Sequence, residues 1–140
     1  MRKLLGILCL CLCASCSAGG PQVELNGERF FVELATTPKD QALGLMFRDS
    51  MAEDHGMLFL FPSAASRSFW MKNTRIPLDI FYFDADLRLV SVARNATPCR
   101  VQQCPSYRSE GPAKYVLELN AGKADELDVN TGDELVLLLD

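Results

Sequence analysis

The segment 69–79 contains the residue types best suited to bind a ligand. In an extended strand, Trp70 and Lys72 point to the same face. An indole ring stacks on sugar rings or bases, and a lysine ammonium binds anions, so this pair could form a polar pocket. Asn73 and Asp79 would lie at its edge. The segment therefore predicts a binding site for a small polar ligand.

The same residues also allow a purely structural interpretation. Trp70 could pack under a loop, while Asp79 forms an ion pair with Lys72 or with Arg48. In the binding interpretation, Arg48 or Asp79 would instead set the charge of the pocket. The sequence leaves both interpretations open.

Two carboxylates suggest a different chemistry. Asp79 and Glu118 could act as the acid and base of a glycosidase if about 5 to 10 Å of open cleft separates their carboxyl groups. If each carboxylate is instead buried against a cation, binding or scaffolding is favoured. No serine hydrolase elbow of the Gly-x-Ser-x-Gly type is present.

The sequence predicts no metal site and no cofactor. The run 53–55, Glu-Asp-His, contains three ligand types, but adjacent residues of an extended chain point apart and His55 is the only histidine. Met46, Met51, Met57 and Met71 are interpreted as core residues rather than copper ligands.

Cys99 and Cys104 are the last two of six cysteines, and the other four lie in the first sixteen residues. Two thiols so close together in an oxidising compartment predict a local disulfide. A metal site would need two further ligands nearby, and a redox-active pair would more naturally be Cys-x-x-Cys.

The N-terminus has the layout of a cleaved secretory signal, with a positive start at residues 1–3 and an apolar run over 4–12. The apolar run is shorter than the 20 or so residues that cross a bilayer. The stretch 12–16 also resembles the lipobox of bacterial lipoproteins, in which the sulfur of the cysteine, here Cys16, is acylated. It departs from the lipobox at Cys13, where leucine is usual.

This layout predicts a signal peptide over 1–15, a lipidated Cys16 within a short tether over 16–21, and a single domain over 22–140. The expected location is a bacterial membrane, facing the periplasm or the exterior. Because Ser17 is not aspartate, the resemblance implies the outer membrane if the host has one. There are two alternatives. The signal could be cleaved after Ala18 to give a free secreted domain, or it could stay uncleaved as an anchor.

The charge of the chain argues against nucleic acid as a partner. The formal net charge is −4, and loss of the two positive charges of Arg2 and Lys3 with the signal lowers it to −6. With 49% hydrophobic and 23% charged residues, the chain is expected to be globular and ordered.

Short strands separated by turns dominate the predicted elements. The Asn26-Gly27 pair predicts a type I′ hairpin between strands at 22–25 and 28–34. Thr37, Pro38 and Asp40 have the pattern of a helix start. Further strands are predicted at 57–61, 68–72, 78–84, 87–93, 114–119 and 134–139. The expected fold is mainly β, a compact single-domain β-sandwich or barrel with one or two short helices.

Five motifs together resemble the domain of unknown function 192 family, and the resemblance runs from about Val23 to the C-terminus. The motifs are Gly44–Arg48, His55–Phe59, Phe69–Thr74, Ile76–Asp79 and Tyr115–Gly122. The resemblance implies a small, mostly β domain that is often exported. It implies no established activity, cofactor or catalytic residue.

The sequence favours a non-enzymatic, envelope-anchored binding domain for a small polar ligand or a protein partner. A hydrolase of envelope carbohydrate or a related polar substrate, using Asp79 and Glu118, is the first alternative. An assembly or scaffolding lipoprotein is the second, and it would lack a cleft beside Trp70.

The lipobox-like stretch predicts that Cys16 carries lipid and fixes the location of the protein. Cys16→Ala should release the protein or leave it unprocessed, because the acylated sulfur would be lost. Membrane fractionation with mass measurement tests this expectation. A variant that stays with membranes at the normal mature mass would contradict it.

Overall fold

A computed structural model describes residues 19–139, which form nine strands and two short helices. The predicted signal peptide and Cys16 lie outside the described residues. The elements are β1 Gln22–Leu25, β2 Glu28–Ala35, α1 Pro38–Leu43, β3 His55–Ala65, β4 Ser68–Trp70, β5 Leu78–Phe83, β6 Leu89–Ala96, β7 Ser106–Arg108, β8 Ala113–Asn120, α2 Lys123–Glu126 and β9 Leu135–Leu138. No helix within 19–139 has the length and apolar character needed to span a bilayer. The mainly β prediction is confirmed.

Seven strands form one curled sheet in the order β6-β5-β8-β3-β2-β1-β9. The β2–β3 pair is parallel and the other pairs are antiparallel. The two ends of the sheet meet through backbone hydrogen bonds, from Leu89 N to Asp133 O at 2.8 Å and from Leu135 N to Leu87 O at 2.9 Å. The sheet therefore curls into a half-barrel with an inner and an outer face.

Each face of the sheet is covered by its own apolar cluster. The inner core fills the curl, and α2 and the turn after it close one end. The outer core packs beneath α1 and the separate β4–β7 ribbon. The buried inner-core residues are Val23, Leu25, Phe30, Val32, Leu58, Phe81, Phe83, Leu89, Leu117, Leu119, Ala124, Leu127, Val129 and Leu135. Those of the outer core are Ala35, Leu45, Met57, Phe59, Met71, Leu78, Ile80, Tyr82, Ala96, Cys99, Ala113 and Val116.

The local turn signals fold as the sequence predicts. Asn26 and Gly27 both have positive φ, 49° and 85°, and join β1 to β2. Thr37 caps α1 by accepting a hydrogen bond from Asp40 N at 3.2 Å, and Pro38 occupies the first turn. These contacts fix the start of the helix that borders the candidate site.

Several strands differ from the prediction. The strand expected over 68–72 ends at Trp70, and the strand expected over 87–93 spans Leu89–Ala96. The strand expected to end at Phe61 continues through Pro62 to Ala65. The pairing of β3 with β8 shifts register between Leu60 and Ala65, so the ladder of hydrogen bonds is interrupted there. Pro62 lies in this interruption, where the strand can accept a residue that has no N–H to donate. The short β7 was not predicted, because its three residues carry no apolar run and depend on pairing with β4.

We predict that Gly56→Ala destabilises the fold, because β3 and β8 approach too closely at Gly56 for a side chain. A Cβ there would lie 2.5 Å from the backbone oxygen of Glu118 and 2.6 Å from Leu119 Cδ2. The expected cost is roughly 1–3 kcal/mol in the free energy of unfolding, measured by urea denaturation. Gly20→Ala is the matched control, since no atom lies within 4 Å of its added Cβ. Equal stability of both variants would contradict the prediction.

Candidate ligand-binding site

Glu118 is a carboxylic acid in the middle of the apolar strand β8. It pairs across the sheet with Met57 on one side and Ile80 on the other, and these residues share the outer face. Its side chain is only 4% exposed. Burial raises the pKa of Glu118 from 4.5 to about 8. The group is therefore mostly protonated at pH 7, and can both donate and accept a hydrogen bond.

Glu118 lies in the wall of a cavity of about 360 Å³ on the outer face of the sheet. We call this space the Glu118 cavity. Among the described residues that line it, Glu118 is the only ionisable side chain, and most of the others are apolar. The lining residues are Gln41, Ala42, Leu43, Gly44, Leu45, Met46, Phe59, Phe61, Ser68, Phe69, Trp70, Thr74 and Glu118.

One wall of the Glu118 cavity is α1 with the turn that follows it. The Gln41 side-chain amide donates to Leu60 O at 2.9 Å and to Ala35 O at 3.3 Å, which fastens the helix to β2 and β3. Gly44 ends the helix with φ of 49°, and its N–H donates to Asp40 O at 2.8 Å. The chain then turns back along the cavity.

The opposite wall is β4. The Phe69 ring packs edge-on against Phe59, with centroids 4.9 Å apart, and at 6.0 Å from Tyr82. The next residue, Trp70, is 53% exposed although it lines the cavity, so the indole lies at the mouth. A ligand could cover this exposed aromatic surface without displacing any core residue.

The five predicted pocket residues do not converge on one site. Lys72 donates to the backbone oxygen of Val101 at 2.6 Å, away from the cavity lining. Arg48 forms a bidentate ion pair with Glu33, in which Nη2 of Arg48 lies 2.7 Å from Oε2 of Glu33. The prediction assumed that the strand runs through Lys72, which would put its side chain on the same face as Trp70. Because β4 stops at Trp70, that alternation of side chains does not extend to Lys72.

Asn73 lies in a second, separate cleft. Its backbone is left-handed, with φ of 56°, and the residue lines a cleft with Phe47, Asp49, Arg75 and Arg100. Only Trp70 of the predicted set therefore lines the Glu118 cavity.

Asp79 has a structural position on the other face of the sheet. It pairs with Leu119, whereas its neighbour Ile80 pairs with Glu118, so the Asp79 and Glu118 side chains point to opposite faces. One Asp79 oxygen accepts from Asn95 N at 2.7 Å. The other accepts from the N–H groups at the start of α2, Gly122 N at 3.0 Å and Ala124 N at 2.8 Å. The structure does not form the carboxylate pair that a glycosidase would need.

The other chemical candidates are also separated. His55 Nδ1 lies 2.7 Å from Asp54 on the surface, and Glu53 forms an ion pair with Lys123 at 3.1 Å. Within residues 19–139, no group of three or more His, Cys, Asp or Glu side chains is arranged to hold a metal ion.

The predicted disulfide is present, with the sulfurs of Cys99 and Cys104 2.07 Å apart. Cys99 is fastened to the segment after β4, because its N–H donates to Met71 O and its carbonyl accepts from Asn73 N, each at 3.1 Å. The disulfide thus closes a small loop directly beside Asn73.

Sequence reasoning considered Glu118 only as a partner of Asp79 and overlooked the role of α1. The available signal was a carboxylate between Leu117 and Leu119 in an otherwise apolar strand. Such a residue must be neutralised or paired when the strand is buried on both faces. No sequence pattern indicated that α1 would stop short of covering it.

The scan against family models matches residues 21–137 to DUF192, described as an uncharacterized ACR. This chain belongs to the DUF192 family. Its resemblance motifs border the cavity, since Gly44–Arg48 and Phe69–Thr74 contribute to the walls and Tyr115–Gly122 contributes Glu118.

Two solved structures are similar to this DUF192 chain. One, described as a protein of unknown function from Novosphingobium aromaticivorans DSM 12444, is 38% identical with a TM-score of 0.74; the match covers 82% of this chain and 81% of that one. The other, described as a "putative transcription regulator" from Sinorhizobium meliloti 1021, is 39% identical with a TM-score of 0.77, covering 84% and 92%. No curated protein gives a significant match.

We predict that Asp79→Ala destabilises the protein without acting on the Glu118 cavity. The substitution leaves three backbone N–H groups without their acceptor, and each such loss in a buried setting costs about 1–3 kcal/mol. Thermal unfolding measures the loss of stability, and Trp70 fluorescence reports whether the Glu118 cavity is unchanged. Asp125→Ala is a control, since its carboxylate makes only an exposed ion pair with Arg94. An Asp79→Ala variant as stable as that control would contradict the structural role.

Proposed function

We propose that this protein is a non-enzymatic binding domain of the bacterial envelope whose ligand occupies the Glu118 cavity. The observation that carries the proposal is a buried carboxyl group, that of Glu118, in the wall of a mostly apolar cavity. Ligand sites are typically apolar pockets with a few polar groups that fix orientation, and a volume of about 360 Å³ suits a small molecule.

The lining indicates a ligand that is largely apolar and carries one uncharged hydrogen-bonding group. Phe59, Phe69 and Trp70 offer aromatic contact, while Glu118 offers one donor and one acceptor. A charged group beside Glu118 would lose its hydration with no opposite charge to replace it. The expected ligand is therefore less polar than the one predicted from Trp70 and Lys72 in the sequence.

The proposed location depends on lipid at Cys16. The lipid would hold the domain on a membrane, with the domain facing the periplasm or the exterior. In a host that has an outer membrane, that is the membrane we propose. Strand β1 begins at Gln22, so only a few residues separate it from Cys16. The domain would then lie near the bilayer surface, where small apolar molecules partition. Cys11→Ala is the matched control for Cys16→Ala, because it changes a cysteine that the signal would carry away.

We predict that neutral amphipathic probes bind in the Glu118 cavity. Octanamide and benzyl alcohol, titrated into the purified protein, should change the fluorescence of Trp70, the only tryptophan in the chain. Binding should weaken as pH rises through about 8, because ionised Glu118 cannot donate and resists desolvation by the ligand. Glu118→Gln should bind without that pH dependence, whereas Glu118→Leu should bind octanamide about tenfold more weakly.

Trp70→Ala tests the mouth of the cavity and is followed by calorimetry. It should lower affinity while changing stability by only about 0.5 kcal/mol, because the indole is half exposed. Val136→Ala is the matched control, an exposed apolar residue on β9 that does not line the cavity. If neither Trp70→Ala nor Glu118→Leu alters binding more than Val136→Ala does, the proposed site is wrong.

A further inference from the structure

A second concave site, which we call the arginine cleft, lies beside the Glu118 cavity. Its volume is about 390 Å³, and its lining residues are Phe47, Asp49, Asn73, Arg75 and Arg100. None of these residues lines the Glu118 cavity. The proposed function therefore leaves this cleft unexplained.

The charges of the arginine cleft do not cancel. Arg75 pairs with Asp49 at 2.8 Å, and both side chains are substantially exposed. Within the described part of the chain, Arg100 forms no ion pair and no side-chain hydrogen bond. The lining therefore carries one uncompensated positive charge on a guanidinium, the group that best matches the two oxygens of a carboxylate or phosphate.

The backbone at the cleft holds two unusual conformations together. Phe47 and Asn73 both have left-handed backbones, with φ of 66° and 56°, although neither is glycine. The N–H of Phe47 donates to Asn73 O at 2.9 Å, which joins the two strained positions. Such a conformation costs about 1–3 kcal/mol for most residues, less for asparagine, and ligand-binding sites are one of the places where it is found.

The residues next to this hydrogen bond line the other site. Met46 and Thr74, the chain neighbours of Phe47 and Asn73, line the Glu118 cavity. Consecutive residues of these two segments thus line the Glu118 cavity and the arginine cleft, so the two spaces are adjacent.

Arg100 is positioned by the disulfide loop. It follows Cys99, whose backbone is hydrogen bonded to Met71 and Asn73, and the bond to Cys104 closes the loop behind it. The backbone that carries Arg100 is therefore held beside the cleft, while its guanidinium remains free to contact a ligand.

We propose that the arginine cleft binds a small oxyanion, a carboxylate or a phosphate group, between Arg100, Arg75 and the Asn73 amide. The anion is either a free small molecule or the acidic end of an amphipathic ligand whose apolar part lies in the Glu118 cavity. The second source rests on the proposed function, whereas the first does not.

The test titrates the purified protein with acetate, inorganic phosphate and octanoate at constant pH and ionic strength. Backbone amide NMR shifts of Asn73, Arg75 and Arg100 report the arginine cleft, and Trp70 fluorescence reports the Glu118 cavity. Acetate or phosphate that shifts the amides without changing Trp70 indicates a free anion. Octanoate that changes both, and binds more tightly than acetate, indicates an amphipathic acid.

In either case Arg100→Gln should weaken anion binding by about tenfold, the loss of one charge-assisted hydrogen bond. Arg108→Gln is the matched control, because it removes the same charge from an exposed arginine outside the cleft. The paired variant Cys99→Ser with Cys104→Ser should also weaken binding, by releasing Arg100.

Anion affinities unchanged in both Arg100→Gln and Arg75→Gln, or lowered equally by Arg108→Gln, would overturn the proposal. Octanamide separates this failure from failure of the proposed function, since it carries no charge. It should bind Arg100→Gln as well as it binds the unmodified protein.

Discussion

The structure depends on a curled sheet whose central strands are buried on both faces. All six residues of β5 are buried, as are four consecutive residues in the middle of β8. These strands cannot direct polar side chains to solvent, as a one-sided antiparallel sheet does. Any carboxylate they carry must be satisfied inside the protein or be neutralised.

The chain meets this constraint differently at two positions. Asp79 faces inward and receives three backbone hydrogen bonds, which tie β6 and the start of α2 to β5. Glu118 faces outward and receives no such donors among the described residues, and burial raises its pKa to about 8, so the carboxyl group is mostly protonated at pH 7. The first carboxyl group organises the fold, and the second remains available at a cavity.

The cavity exists because the outer core has a thin cover. The inner core is enclosed by the sheet itself, whereas the outer core is covered only by the six-residue α1, the short β4–β7 ribbon and the disulfide loop. These small elements leave a gap above Glu118 and a cleft beside Arg100. A backbone hydrogen bond joins Phe47 to Asn73 of the cleft, and their chain neighbours Met46 and Thr74 line the cavity. An apolar site and a cationic site therefore lie side by side on the outer face.

The sequence by itself determined the local structure and the fold class. The Asn26-Gly27 hairpin, the Thr37 cap of α1 and the Cys99–Cys104 disulfide follow from residues close together in the chain, whose conformations are fixed by local sterics and short hydrogen bonds. The mainly β class followed from the alternation of short apolar strands with turns.

The membership of the candidate site was decided only by tertiary structure. The sequence placed Trp70, Lys72, Asn73, Asp79 and Arg48 in one pocket. In the structure β4 ends before Lys72, Asp79 faces the inner core and Arg48 pairs with Glu33, so only Trp70 of the five lines the Glu118 cavity. It treated Asp79 and Glu118 as a pair, but the pairing of β5 with β8 sends their side chains to opposite faces. Register and sheet curvature depend on contacts between residues far apart in the chain, so no local pattern could specify them.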